Sequence, residues 1–188
     1  MPIPLLLAFL LLGSPALAQP QQSLTLAGQA RTGEDVRAVR FVFLCSANEG
    51  PNVTGALGLE LYVAGHGSLR GAFDFDAFEG PDARAGRLTQ LETTAAGTTT
   101  RLRAMVSGWI GVDADAPFAF GLSAARRRDE TQLREVSRLL RPLTAGAAQL
   151  VWTLGNTRPG GPSIVARLDV SPADAERLRT LLAPCLAR

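Results

Sequence analysis

The densest group of chemically reactive side chains in the sequence is a set of carboxylates in the stretch FDFDAFEGPDAR. Its four members are Asp74, Asp76, Glu79 and Asp82. An EF-hand calcium loop needs a glycine at its sixth position and a bidentate glutamate at its twelfth. Counted from Asp74, those positions hold Glu79 and Ala85, so the stretch does not match the calcium template. We predict instead a strand with Phe73 and Phe75 facing inward and the aspartates facing water, followed by a turn.

The sequence contains one serine motif and one histidine that have to be considered as a nucleophile and a base. In FAFGLSAAR, Gly121, Ser123 and Ala125 form a relaxed version of the G-x-S-x-G elbow, in which the serine lies on a sharp turn between a strand and a helix. The single histidine, His66, precedes this serine, whereas the α/β-hydrolase order places the histidine last. Other chain orders also build catalytic triads, so a small serine hydrolase that uses Ser123 and His66 is the alternative function. The simpler interpretation is a serine at a strand end and an exposed histidine in a hairpin turn.

Three consecutive arginines, Arg126, Arg127 and Arg128, precede a predicted helix start at Asp129. Positive charge at the beginning of a helix opposes the helix dipole, so the cluster is not a simple stabilising device. Because guanidinium groups bind planar anions in pairs of hydrogen bonds, we identify these residues as a candidate anion-binding site. The alternative is a solvated loop.

Other common site chemistries are not supported by the sequence. One histidine and two cysteines that are expected to be oxidised do not make a zinc ligand set, and the glycine-rich TRPGGPS lacks the lysine of a phosphate loop. We therefore predict no metal and no cofactor. The net charge of +2 is too small to indicate a nucleic-acid partner. Trp109 and Trp152 lie on predicted strands, where core packing is the ordinary role and an exposed sugar-stacking surface is the alternative.

The first residues, MPIPLLLAFLLLGSPALAQ, have the apolar run and small-residue cleavage site of a secretory leader, with cleavage expected after Ala18. This predicts a leader over 1–18 and a single exported domain over 19–188. The alternative is an uncleaved membrane anchor, which is less favoured because the apolar run is shorter than the roughly 20 residues of a membrane span. We expect no stable membrane insertion after cleavage. All 19 basic residues are arginine, and alanine, glycine and proline are abundant, as in proteins from GC-rich bacterial genomes. Together these features predict a periplasmic location.

The two cysteines, Cys45 and Cys185, are expected to form a disulfide, because exported proteins meet an oxidising compartment. Phe41, Phe43 and Cys45 alternate along one face of a predicted strand, while Leu178 and Cys185 lie on the apolar side of a predicted helix. Both thiols should therefore point toward the core.

Most of the chain consists of short β-like segments separated by turn signals, with no helices between them, which favours an antiparallel meander. LRGAFDFDAF and TTRLRAMVSGWIGV are each interpreted as one strand. One helix should begin after Asp129 and end near Pro142, and a second, capped by Ser171, should run through Leu182 to Cys185. The prediction is an α+β domain: a mostly antiparallel sheet of about eight or nine strands, as a sandwich or open barrel, with two amphipathic helices in the C-terminal half.

These observations favour a non-enzymatic binding or envelope-associated domain whose partner is an unknown envelope protein or ligand. A structural envelope protein is a further alternative.

Overall fold

The computed structural model describes residues 22–46, 55–79, 88–111, 116–125 and 129–187. Within them the chain forms nine strands and two α-helices. The strands are β1 (Gln22–Thr32), β2 (Asp35–Ser46), β3 (Ala56–Val63), β4 (Thr89–Ala95), β5 (Thr98–Leu102), β6 (Ser107–Ile110), β7 (Phe118–Ala125), β8 (Ala148–Leu154) and β9 (Ile164–Val170), and the helices are α1 (Glu130–Leu140) and α2 (Pro172–Leu182). All strands belong to one antiparallel sheet in the order β5-β4-β8-β9-β1-β2-β3-β7-β6, which curls into a half-barrel. The predicted fold class is confirmed.

One extended stretch of chain joins the two ends of this sheet. β5 and β6 lie at opposite ends, yet only residues 103–106 separate them in sequence. Leu102, Ala104 and Val106 are buried, whereas Arg103 and Met105 are exposed, so the alternation of a strand continues across the connection. The five Cα–Cα steps from Leu102 to Ser107 span at most about 18 Å, so the ends of the sheet must lie close together. The prediction of one uninterrupted strand here was wrong, because its two halves pair with different neighbours.

Helix α1 lies between the two ends of the curled sheet. It packs against β3 and β7 on one side and against β4 and β5 on the other. Its apolar face is essentially excluded from solvent; the buried aliphatic residues are Leu133, Val136, Leu139 and Leu140. Each such side chain contributes about 1.5–3 kcal/mol when it is fully buried, so the helix supplies a large part of the core that one sheet cannot build alone.

Both α-helices begin at the predicted capping residues, but α2 ends at Leu182, three residues before the predicted end at Cys185. The Asp129 carboxylate accepts a hydrogen bond from the backbone N–H of Gln132 at 2.8 Å, and the Ser171 hydroxyl accepts one from the N–H of Asp174 at 3.1 Å. The Gln132 side chain donates to the backbone carbonyl of Ser123 at 2.9 Å. This bond fastens the first turn of α1 to β7.

The structure contains the disulfide between Cys45 at the end of β2 and Cys185 just beyond α2, with a sulfur–sulfur distance of 1.98 Å. Both cysteines are buried, and α2 packs against β1 and β2. Two residues farther on, the backbone N–H of Ala187 donates to the Ser137 hydroxyl of α1 at 2.8 Å. The C-terminal segment is therefore attached to both the sheet and α1.

The predicted strand over LRGAFDFDAF was wrong. This region contains two short 3-10 helices, His66–Leu69 and Asp76–Phe78, with turns between them. Phe73, Phe75 and Phe78 are all buried, as alternation predicted for the first two. The ring of Phe78 lies edge-on to that of Phe120 on β7, with 5.1 Å between the ring centroids. Because these phenylalanines cover the inner wall of the sheet, their packing sets the backbone path.

The prediction that the aspartates of this stretch face water holds for Asp76 but not fully for Asp74. Asp76 is exposed, whereas Asp74 is half-buried and its carboxylate accepts a hydrogen bond from the Thr157 hydroxyl. The backbone N–H of Asp74 donates to the Asn156 side chain at 3.2 Å. Asp74 therefore anchors this stretch to the turn between β8 and β9, and Asp82 lies outside the described residues.

We predict that replacing both cysteines, as Cys45→Ala with Cys185→Ala, lowers the free energy of unfolding by up to about 4–5 kcal/mol, because the bond closes a loop of 140 residues in the unfolded chain. Urea unfolding of both proteins without reductant measures the difference. Wild-type protein unfolded in dithiothreitol is the control and should match the double variant. Equal stability of the oxidised wild type and the double variant would contradict the prediction.

Candidate functional site

The structure does not bring Ser123 and His66 together. Ser123 pairs with Gly58 on β3 and is exposed on the outer face of the sheet. The His66 ring contacts the buried rings of Phe75 and Phe118, with centroid separations of 5.5 and 5.8 Å. Phe118 lies five residues from Ser123, about 17 Å along β7, and faces the opposite side of the sheet. A mechanism that needs contact between this serine and this histidine has no geometric basis here.

The prediction that His66 lies exposed in a hairpin turn was wrong. It begins a 3-10 helix and is only 9% exposed. It lies in the wall of a cleft of about 680 Å³; the residues that line the cleft are Gly65, His66, Gly67, Ser68, Arg70, Ile110 and Ala116. The flanking glycines resemble a turn signal in the sequence, but the aromatic surface behind the imidazole decides its burial.

A single arginine of β2 holds the loop that carries His66. Arg37 donates hydrogen bonds to the backbone carbonyls of Ala64 and Gly65 at 3.0 and 2.9 Å, and to the Ser68 hydroxyl at 3.3 Å. Asp35 fixes the same guanidinium through two hydrogen bonds of 2.8 and 2.7 Å, and these bonds hold the pKa of Asp35 below its usual range. Gly65 has φ 60°, a left-handed conformation that favours glycine. The sequence did not indicate these contacts of Arg37 with the loop, because Arg37 has the pattern of an ordinary exposed strand residue.

The environment of His66 disfavours its charged form. Burial lowers the pKa of the imidazole, and the nearby Arg70 cation lowers it further. The hydrogen bond to Ala116 and the charge of Glu79 act in the opposite direction but do not reverse the shift. His66 is therefore neutral at pH 7 and contributes hydrogen-bonding capacity to the cleft rather than charge.

A second feature is a row of side chains across the outer face of the sheet. Arg40 on β2 pairs with Tyr62 on β3, Tyr62 with Ala119 on β7, and Ala119 with Trp109 on β6. Neighbouring strands lie about 4.8 Å apart, so the backbones of Tyr62 and Trp109 are about 10 Å apart. Ala119 between them is only 1% exposed. We call these four residues the outer-face row.

Trp109 is the exposed aromatic ring of this row. Its side chain is 38% exposed, whereas Trp152 is fully buried, so the core-packing interpretation holds for Trp152 alone. The Trp109 ring rests on Gly121, where an added Cβ would lie 2.6 Å from two ring atoms. Only glycine leaves room for this position of the ring. Met105, also on the outer face, is 62% exposed and extends the apolar surface along the chain.

Polar groups fix the other end of the row. The Tyr62 hydroxyl donates to the Glu60 carboxylate at 2.7 Å, and the Arg40 guanidinium lies over the Tyr62 ring, 5.3 Å from its centroid. Burial and the neighbouring Glu60 raise the pKa of Tyr62 to about 12, so its phenol stays protonated and remains a donor. The row and the adjacent Glu60 thus combine an exposed indole with a guanidinium and a carboxylate.

The remaining predicted site lies outside the described residues, since Arg126, Arg127 and Arg128 belong to the part of the chain that the structure does not describe. Among the residues that it does describe, no group of three or more histidine, cysteine, aspartate or glutamate side chains could hold a metal ion. Within the same residues, no helix has the length and hydropathy that a membrane span requires.

Comparisons with known proteins leave the family open: no family model, no curated protein and no solved structure matches the chain.

We predict that His66 makes the folded protein less stable as the pH falls below about 6.5. Because its pKa is lowered from 6.5 in the folded state, the unfolded chain binds the proton first, and acid then favours unfolding. Urea unfolding at several pH values between 7 and 5 should give a steeper loss of stability for the wild type than for His66→Gln. The same pH dependence in both proteins would contradict the prediction.

Proposed function

We propose that the protein is an exported, non-enzymatic binding domain of the bacterial envelope, and that it binds a glycan on the outer face of β2, β3, β7 and β6. The observation that carries this proposal is the exposed indole of Trp109, held over Gly121 beside the hydrogen-bonding groups of the outer-face row.

The outer-face row has the two kinds of surface that a sugar ring requires. A pyranose presents a face of C–H groups and a rim of hydroxyl groups. Contact between that face and the Trp109 indole removes apolar surface from water, at roughly 25 cal/mol per Å². Glu60 accepts hydrogen bonds and Arg40 donates them, so both kinds of hydroxyl contact are available on the same face.

The surface is also organised before a ligand arrives. The Tyr62–Glu60 hydrogen bond and the Arg40–Tyr62 contact restrain three side chains, and Gly121 restrains the position of Trp109. A flat arrangement on neighbouring strands is more rigid than a loop. Restrained side chains lose less conformational entropy on binding, so a shallow surface can still select a ligand.

The proposed location rests on two features. The first 18 residues have the pattern of a cleaved leader. The Cys45–Cys185 bond is of the kind that persists in oxidising compartments and is rare in the cytosol. An envelope location would place the domain next to peptidoglycan and other surface glycans, which supports a polysaccharide as its ligand.

We predict that Trp109→Ala lowers the affinity for purified sacculi about tenfold, which corresponds to about 1.4 kcal/mol, because the apolar plate under the sugar is lost. Co-sedimentation of the oxidised protein with sacculi measures the bound fraction. Met105→Ala is the matched control, since it removes a more exposed side chain of the same surface outside the row.

Two outcomes would contradict the glycan proposal. One is that the wild type stays in the supernatant at every sacculus concentration tested. The other is that Met105→Ala and Trp109→Ala reduce binding equally, which would indicate general adhesion of an apolar surface. A thermal unfolding midpoint close to that of the wild type confirms that each variant is folded.

A further inference from the structure

Helix α1 carries a second surface, on the side away from the core. Arg134 and Arg138 on α1 and Arg141, which begins the 3-10 turn directly after it, are spaced four and three residues apart, so they lie along one side. They line a groove of about 460 Å³; its other lining residues are Ser137, Pro142, Ala145 and Ala187. We call this the arginine groove.

Both walls of the arginine groove are fixed. On one side is α1, whose apolar face is buried under the sheet. On the other is the C-terminal segment, where Ala187 donates its N–H to Ser137 and accepts a hydrogen bond from the Arg141 guanidinium through its carbonyl. The disulfide at Cys185 lies two residues before Ala187. The groove is therefore part of the folded structure rather than a gap beside a loose terminus.

The charge of the arginine groove is positive among the described residues. Arg134 forms an ion pair with Glu130 at 3.0 Å, so three guanidinium groups face one carboxylate and leave a net charge of +2. Arg138 and Arg141 lie at the C-terminal end of α1, where the helix dipole is negative. The dipole does not attract an anion there, so the arginines must supply the attraction.

We infer that the arginine groove binds a phosphomonoester carried on an apolar stem. A phosphomonoester has a charge of about −1.5 to −2 at pH 7, which matches the charge of the groove, and guanidinium groups bind its oxygens in pairs. Pro142 and Ala145 give the groove an apolar part, and its volume leaves room beyond a phosphate group. This site lies on α1 and the C-terminal segment and is independent of the outer-face row.

The test uses isothermal titration calorimetry of the full oxidised protein with dihexanoyl phosphatidic acid, below the concentration at which this lipid forms micelles. We expect Arg138→Gln to weaken binding at least tenfold. Arg177→Gln is the matched control, because Arg177 is an exposed, ion-paired arginine on α2 outside the groove, and it should leave the affinity unchanged. Arg138→Lys should recover binding only partly, because lysine keeps the charge but loses the paired hydrogen bonds.

Two further ligands test the apolar stem and the phosphomonoester charge separately: inorganic phosphate lacks the stem, and dihexanoyl phosphatidylcholine lacks the phosphomonoester. Inorganic phosphate that binds as tightly as phosphatidic acid would overturn the role of the apolar stem. Phosphatidylcholine that binds as tightly would overturn the role of the phosphomonoester charge. Absence of binding by phosphatidic acid, or an equal affinity of the wild type and Arg138→Gln, would overturn the site itself. The outer-face row contains no groove residue, so sacculus binding by Arg138→Gln reports separately on the glycan proposal.

Discussion

The burial of the apolar face of α1 between the two ends of one curled sheet is the interaction on which the rest of the structure depends. A single sheet has an inner face that must be covered, and α1 covers it by packing on β3 and β7 together with β4 and β5. The extended chain that leads from β5 to β6 keeps those ends close. Without the helix, the inner wall of the half-barrel would face water at both ends of the sheet.

This arrangement decides which surfaces remain for binding. Because α1 and the phenylalanines before β4 occupy the inside, the described interior is a packed core, and both proposed binding surfaces lie outside it. Two members of the outer-face row, Tyr62 and Ala119, lie on β3 and β7, whose other face packs against α1. The arginine groove lies on the back of α1 itself. Both surfaces therefore lie on elements that pack against each other in the core.

Features that depend on a few neighbouring residues were predictable from the sequence. The caps at Asp129 and Ser171 were predictable because each side-chain oxygen lies three residues before a backbone N–H that has no partner within the helix. The Cys45–Cys185 bond was predictable because the leader pattern indicates export and both cysteines occupy positions that face inward. The backbone over Phe73 and Phe75 was not predictable, since alternation of buried side chains fits both a strand and the observed turns.

The candidate sites depend on contacts between residues that are distant in sequence. The outer-face row requires the register of four strands, and Arg37 reaches the His66 loop across 27 and 28 residues of chain. Neither the strand register nor the Arg37 contacts produce a recognisable pattern in the local sequence. The motif around Ser123 gave no indication of its distance from His66. The two residues lie on opposite faces of the sheet and at opposite ends of β7.

The proposed exported, disulfide-linked state is the central claim of this account, and the intact mass of the protein isolated from each fraction of fractionated native host cells tests it most directly. We expect a chain that begins at Gln19 and weighs two hydrogens less than its reduced form, as cleavage of the leader and the Cys45–Cys185 bond require. A chain that keeps residues 1–18, or that carries two free thiols and is found in the cytosol, would contradict the account.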